Sequence, residues 1–227
     1  MALIQPRSTL KPLLRYAITD RIRLAANEPA RQAALLAQAS RLAAAGVDFI
    51  QLRERDLSAA DLADLARSLL AVLHTHHPAP KLLIHSRADV ALATHADGVH
   101  LTSSPGALTP AQVRTLFASA SLPKPIISLS CHTLDEVVRA ATSAPENRPI
   151  HILFGPVFEK VVGEKAVGEE TVVDKKVVDG TGLDLLRAAA RAAAPIPVLA
   201  LGGITDANAA AALDAGAAGI AAIRLFL

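Results

Sequence analysis

Ser130-Cys131-His132 ends a short apolar run and passes directly into Thr133, a residue type that opens helices. An imidazole held between a strand end and a helix start, with an ordinary pKa of about 6.5, suits proton transfer near neutrality. His132 is therefore the candidate acid–base group, set against a plain surface histidine at a helix start. Cys131 alternates to the opposite side of the strand end, and Glu159 lies in a long loop, so neither is placed as directly. A second chemistry is anion binding. Gly202 and Gly203 follow an apolar run and lead into a helical segment, where bare backbone N–H groups can cradle a phosphate; the competing reading is a tight turn. A β-branched side chain at Gly203 is expected to weaken phosphorylated ligands while leaving the fold largely intact. Gln51, Arg53 and Arg55 alternate along one face, and two guanidiniums aimed the same way suit a phosphate or carboxylate. Their competing role is rim pairing with Glu54, Asp56 or Asp20.

These residues need elements that bring them to one place. Apolar runs lie at 15–19, 47–52, 81–85, 98–101, 126–129, 150–154, 197–201 and 219–223, each too short for a helix and rich in Ile, Val or Leu. That is the pattern of strands buried on both faces. Between them lie helical segments at 30–45, stopped by Gly46, at 58–73 with Ser58 as cap, at 109–117 with Thr109 as cap and Pro110 first, and at 133–141, 182–194 and 206–215. Eight strands alternating with helices predict an α/β fold, a (β/α)8 TIM barrel, as one domain over residues 1–227. In that fold functional residues gather at the C-terminal strand ends. Those ends carry Thr19 and Asp20, then Gln51, Arg53 and Arg55, then His85 and Ser86. His100, Ser130, His132, Gly155, Gly202, Gly203 and Arg224 follow. His100 is read as hydrogen-bonding within the mouth. His74, His76 and His77 fall on the opposite face, as a solvated loop.

Two features depart from a regular barrel. Little chain follows the eighth strand, so the closing helix is expected to be short or missing, with part of the extension at 1–14 over the gap. Residues 159–182 make an unusually long connection after strand six, read as a lid or insertion, and their paired valines permit a β-hairpin.

The 23 Lys and Arg against 21 Asp and Glu nearly cancel, and 3% aromatics with no Trp provide no base-stacking platform, which argues against nucleic acid. No apolar run is long enough to cross a bilayer. A single cysteine excludes a disulfide framework and fits a reducing, cytoplasmic setting. A homo-oligomer is left open.

The runs Tyr16-Ala17-Ile18-Thr19-Asp20, Gln51-Leu52-Arg53-Glu54-Arg55, Ala96-Asp97-Gly98-Val99-His100-Leu101, Phe154-Gly155-Pro156-Val157-Phe158 and Gly202-Gly203-Ile204-Thr205 stand in an order that resembles the thiamine phosphate synthase superfamily. The resemblance implies the same barrel and small phosphorylated thiazole or pyrimidine substrates. Its synthase branch joins a pyrimidine diphosphate to a thiazole phosphate with Mg²⁺ at the diphosphate. Gln51 and Arg53 would then meet the diphosphate, with Arg55 in place of a usual lysine. The family's Asn-Asp after strand three is His85-Ser86 here, and Thr102-Ser103-Ser104-Pro105-Gly106 lacks the acidic residue expected after strand four. A hard cation needs such oxygen donors. The local motifs are also similar to the thiazole tautomerase branch, which aromatises a carboxythiazole phosphate without metal, and in which a histidine at the position of His132 is the acid–base catalyst. Arg224 stands where both branches commonly carry a serine. The preferred expectation is the tautomerase type, with no metal or other cofactor. His132 would be catalytic, and Gln51, Arg53, Arg55, His85, Ser130, Gly155, Gly202, Gly203 and Arg224 would bind substrate. The alternatives are the Mg²⁺-dependent synthase with an altered metal site, and a barrel that binds a phosphorylated ligand without turnover.

Overall fold

The computed structural model describes residues 13–162 and 176–227. In chain order the strands are β1 (Leu14–Ile18), β2 (Phe49–Leu52), β3 (Lys81–His85), β4 (Gly98–Leu101), β5 (Ile126–Cys131), β6 (His151–Phe154), β7 (Lys160–Val162), β8 (Lys176–Val178), β9 (Val198–Leu201) and β10 (Gly219–Ala222). All but β7 and β8 are parallel neighbours and close into an eight-stranded barrel, in the order β1-β10-β9-β6-β5-β4-β3-β2. The helices are α1 (Glu28–Ala44), α2 (Ala59–Leu73), α3 (Ala88–Thr94), α4 (Pro110–Ser119), α5 (Leu134–Thr142), α6 (Leu183–Ala193) and α7 (Asp206–Asp214). The expected barrel is therefore present. Among the described residues no helix is long and apolar enough to cross a membrane.

Strand alternation divides the core in two. Ile50, Leu52, Leu82, Ile84, Val99, Leu101, Ile127, Ile152, Phe154, Val198 and Ala200 are buried in the large cluster formed with the helices. Their neighbours one position along point to the barrel axis. On one side this interior is apolar, made of Tyr16, Ile18, Leu153, Leu199 and Ala221. On the other it is polar, with Gln51, His100, Ser128, Ser130 and His151 all buried. Filling the axis with side chains makes the barrel a packed body, open to chemistry only at its mouth.

Local signals account for the helix starts. Ser58 Oγ accepts from Asp61 N at 3.2 Å, but Asp61 is too short for the reciprocal bond, and its carboxylate instead takes the Ser58 hydroxyl at 2.6 Å. Thr109 and Gln112 form a full capping box ahead of α4, and Thr133 and Glu136 do the same for α5. Helix α3 was not anticipated: it has seven residues and no side-chain cap, and is held by burial of Ala88, Val90 and Ala91.

Strand β5 runs two residues beyond the expected end, so Ser130 and Cys131 belong to it. The expected short closing helix is a single 3₁₀ turn, Arg224–Phe226, whose Phe226 is buried and whose carbonyl accepts from Gln38 Nε2 at 2.7 Å. Within the long connection, β7 and β8 pair antiparallel as a hairpin, with Val161 opposite Val177. The proposed cover by the N-terminal piece falls largely outside the described residues, as does the middle of the expected lid or insertion, with Val172 and Val173.

Candidate active site at the barrel mouth

The register of four adjacent strands builds the polar side of the interior. His85 pairs with His100, His100 with Ser128, and Ser128 with His151, so one row crosses from the end of β3 to the start of β6. Because the strands are staggered in a barrel, this row descends from mouth to floor. His100 shares hydrogen bonds with Ser128 Oγ at 2.7 Å and Ser130 Oγ at 2.9 Å, and Tyr16 Oη reaches Ser128 Oγ at 3.1 Å. Complete burial, then the neighbouring histidines and Arg53, hold His100 well below the ordinary imidazole range. At the floor His151 packs against Phe49, and burial lowers it to about 4, so it too is neutral at pH 7. His100 thus has the internal role expected of it. Ser130 is turned toward His100 inside the barrel, an intramolecular partner that sequence reading had placed at the substrate.

The cationic arm lies at the end of β2. Gln51 is buried with its amide 3.1 Å from His85 Nδ1, and the exposed Arg55 guanidinium lies 3.5 Å from His85 Nε2. Arg53 is half-buried, and among the described residues its side chain has no hydrogen-bonding or ion-pair partner. The acids named as its competing partners are otherwise engaged. Glu54 and Asp56 both bind Arg21, at 3.1 and 2.8 Å, and Arg21 also binds Glu28 at 2.8 Å while itself buried. Glu54 further accepts from Thr19 Oγ1 at 2.5 Å, and Thr19 Oγ1 accepts from Arg53 N at 3.0 Å. A buried ion cluster therefore fixes the backbone that carries Arg53.

Sequence reading missed Arg21, since nothing in its spacing announces that three distant carboxylates converge on it. It also missed Lys160. In the hairpin Lys160 is half-buried, and desolvation with the nearby Arg53 charge lowers its pKa. Desolvation lowers His85 to about 4, assisted by Arg53 and Arg55. The mouth thus carries cations that repel one another, a field an anion would relieve.

Across the mouth, His132 is at the exposed rim. Its Nδ1 lies 2.6 Å from Gly155 O, and a carbonyl only accepts, so Nδ1 carries the proton and Nε2 is a lone pair in the neutral ring. Glu136 accepts from His132 N at 2.5 Å and fixes the turn. Cys131 faces the helix side, and burial, then Glu136, pushes its thiol up to about 12.

The glycines call for a correction. A Cβ on Gly155 would lie 1.8 Å from Leu201 O, one on Gly202 2.7 Å from Pro156 Cα, and one on Gly203 2.4 Å from Glu159 O. The loops after β6 and β9 interlock backbone to backbone. The expectation that Gly203→Val leaves the fold largely intact does not hold, because φ is +67° there and the obstacle is main chain. Arg224 is exposed and donates from Nη2 to Val161 O at 2.8 Å, linking the C-terminal rim to the hairpin.

Three carboxylates near the strand ends do not fit a hard cation, and no cluster of three or more potential metal ligands occurs among the described residues. Glu54 is committed to Thr19 and Arg21, Asp20 to Arg23 at 2.5 Å, and Glu136 to His132 N, Thr133 N and Ser103 Oγ. Ser86, in a left-handed conformation, supplies no carboxylate at the end of β3. Mg²⁺ prefers carboxylates together with substrate phosphates, and no two of these acids converge with free oxygens.

Residues 15–226 match the thiamine monophosphate synthase family. A putative thiamine-phosphate synthase of Geobacter sulfurreducens is 38% identical over 212 residues, covering 93% of this chain and 85% of the relative. A thiamine-phosphate synthase of Methanocella arvoryzae is 36% identical over 187 residues, covering 82% and 76%. Among solved structures, a thiamine phosphate pyrophosphorylase from Pyrococcus furiosus superposes with a TM-score of 0.68 at 26% identity, covering 95% of this chain and 88% of that one. These names match the synthase alternative better than the preferred tautomerase expectation. Barrel, mouth and a match over nearly the whole length lead to one conclusion: the chain belongs to the thiamine monophosphate synthase family.

Proposed function

We propose that this enzyme joins a pyrimidine diphosphate to a thiazole phosphate, the thiamine-phosphate synthase reaction. The observation that carries this reading is Arg53, half-buried at the mouth without a side-chain partner among the described residues, flanked by Arg55 and Lys160. In the transfer the bond from the pyrimidine methylene to diphosphate oxygen breaks, and its electron pair leaves with the diphosphate. The thiazole ring nitrogen supplies the pair for the new C–N bond. Fixed guanidinium and ammonium groups stabilise the departing charge without reorganising, the most effective form of such help. The interlocked Gly202-Gly203 turn and Arg224 would hold the thiazole phosphate on the far rim. With Glu54, Asp20 and Glu136 engaged elsewhere, these cations take the place of a divalent ion at the diphosphate, and no cofactor is needed. The test is turnover of the two substrates by pure protein, with Mg²⁺ and with chelator. Product in both conditions supports the reading, and turnover only with Mg²⁺ overturns the fixed-cation part of it.

A second reading, tautomerisation of a carboxythiazole phosphate, is favoured by His132. Its Nδ1 proton is held on Gly155 O, so Nε2 is the one ring atom left to take a proton from carbon and return it. Arg53 would then orient the substrate carboxylate.

A further inference from the structure

We propose a second binding site at the opposite end of the barrel, for a small organic monoanion in which an apolar ring or branched body carries one carboxylate. A cavity of about 260 Å³ opens there, between the turn from α3 into β4 and the turn from α4 into β5. Lys81 on its wall is the first residue of β3 and His85 at the mouth is the last, so about 13 Å of strand separates the two places. The volume falls just below the roughly 300–1,000 Å³ of pockets that take drug-sized ligands, which sets the scale of the occupant.

The floor is apolar, lined by Phe117, Leu122, Pro123 and Ile126. Main-chain bonds hold both turns in place: Leu122 N donates to Phe117 O at 3.0 Å, and Ile126 N to Asp97 O at 2.9 Å. A bare inorganic anion would shed water against this surface without hydrogen bonds in return, which is costly. The rim is cationic. Among the described residues Asp97 is the one acid lining the cavity, and both its oxygens are engaged, Oδ1 by Lys81 Nζ at 2.9 Å and Oδ2 by Leu82 N at 2.9 Å. Lys81 and Asp97 therefore cancel. Lys124 and His95 complete the rim; both are exposed, and among the described residues neither side chain has a hydrogen-bonding or ion-pair partner. His95 stands there because it closes α3 in a left-handed conformation, with φ 56°, which histidine adopts more readily than most residues. The lining thus keeps one unbalanced ammonium, with an imidazole beside it, above an apolar floor. A ring on the floor and a carboxylate at the rim satisfy both halves at once.

The probe is benzoate, titrated into the full chain and followed by NMR at the Leu122 and Ile126 methyl groups and the His95 ring. Benzyl alcohol supplies the ring without the charge, and sulfate the charge without the ring. Benzoate should shift these signals saturably and bind about fivefold more tightly than either control. Lys124→Gln, a change at an exposed side chain, should lower benzoate affinity about fivefold, the scale of a solvent-screened ion pair, and leave that of benzyl alcohol unchanged. Signals that stay in place with benzoate overturn the site. Benzoate no tighter than benzyl alcohol, or equally tight in Lys124→Gln, overturns recognition of the carboxylate. Sulfate as tight as benzoate overturns the part given to the apolar floor.

Discussion

Replacing Arg21 by methionine keeps the side-chain volume and removes the charge on which three carboxylates converge. Its partners do not count equally. The Glu28 and Asp56 side chains are 38% and 56% exposed, so each regains water and its lost pair is worth about 0–1 kcal/mol. The Glu54 side chain is 2% exposed and would be left as a buried carboxylate without its counter-charge, which costs about 3–5 kcal/mol. The expected loss is therefore about 3–5 kcal/mol, dominated by Glu54, read by urea unfolding near neutral pH. Burial already pushes the Glu54 carboxyl up, against the bonds from Thr19 and Arg21. Without Arg21 the native state would retain a proton on Glu54 that the unfolded chain releases at ordinary carboxylate pH. The variant's native state then binds more protons than its unfolded state, so its stability falls as pH rises and the deficit is larger near pH 8 than near pH 5. Adding Glu54→Gln should recover most of the loss, since the amide keeps the Thr19 acceptor and carries no charge. A deficit below about 1 kcal/mol, or one that Glu54→Gln does not repair, refutes a charge-held arm.

Gly203→Ala should lower stability by about 1–3 kcal/mol, seen as a reduced thermal midpoint, because its Cβ meets Glu159 O in a left-handed backbone; an unchanged midpoint would mean the two loops are not interlocked. Cys131 should resist alkylation in the native state near pH 8 and react after unfolding, since burial and a thiol pushed up to about 12 leave almost no thiolate. If the tautomerase reading holds, His132→Ala should slow isomerisation roughly 10²–10⁴-fold in single-turnover assays, with little change in the thermal midpoint. Parent-like turnover by that variant would remove His132 from the chemistry.

The barrel was legible in the sequence because each strand is a short apolar run bounded by turn residues, a local pattern that needs no knowledge of its neighbours. Helix starts at Ser58, Thr109 and Thr133 were legible for the same reason, as a cap acts within three residues. Placing Gln51, Arg53, Arg55 and His85 at one mouth followed from the rule that strand ends share a face. What tertiary structure alone decided is which charges meet. Arg21, and not Arg53, takes Glu54 and Asp56, and that choice leaves Arg53 without a side-chain partner among the described residues. Barrel stagger brings His85, His100, Ser128 and His151, from four strands, into one register row, and turns Ser130 inward to His100. Gly203 carries the same lesson: its neighbours in space are Phe158 and Glu159, some 45 positions away in the chain. Local chemistry sets the elements, but Coulomb and steric partners depend on distances that closing the barrel creates.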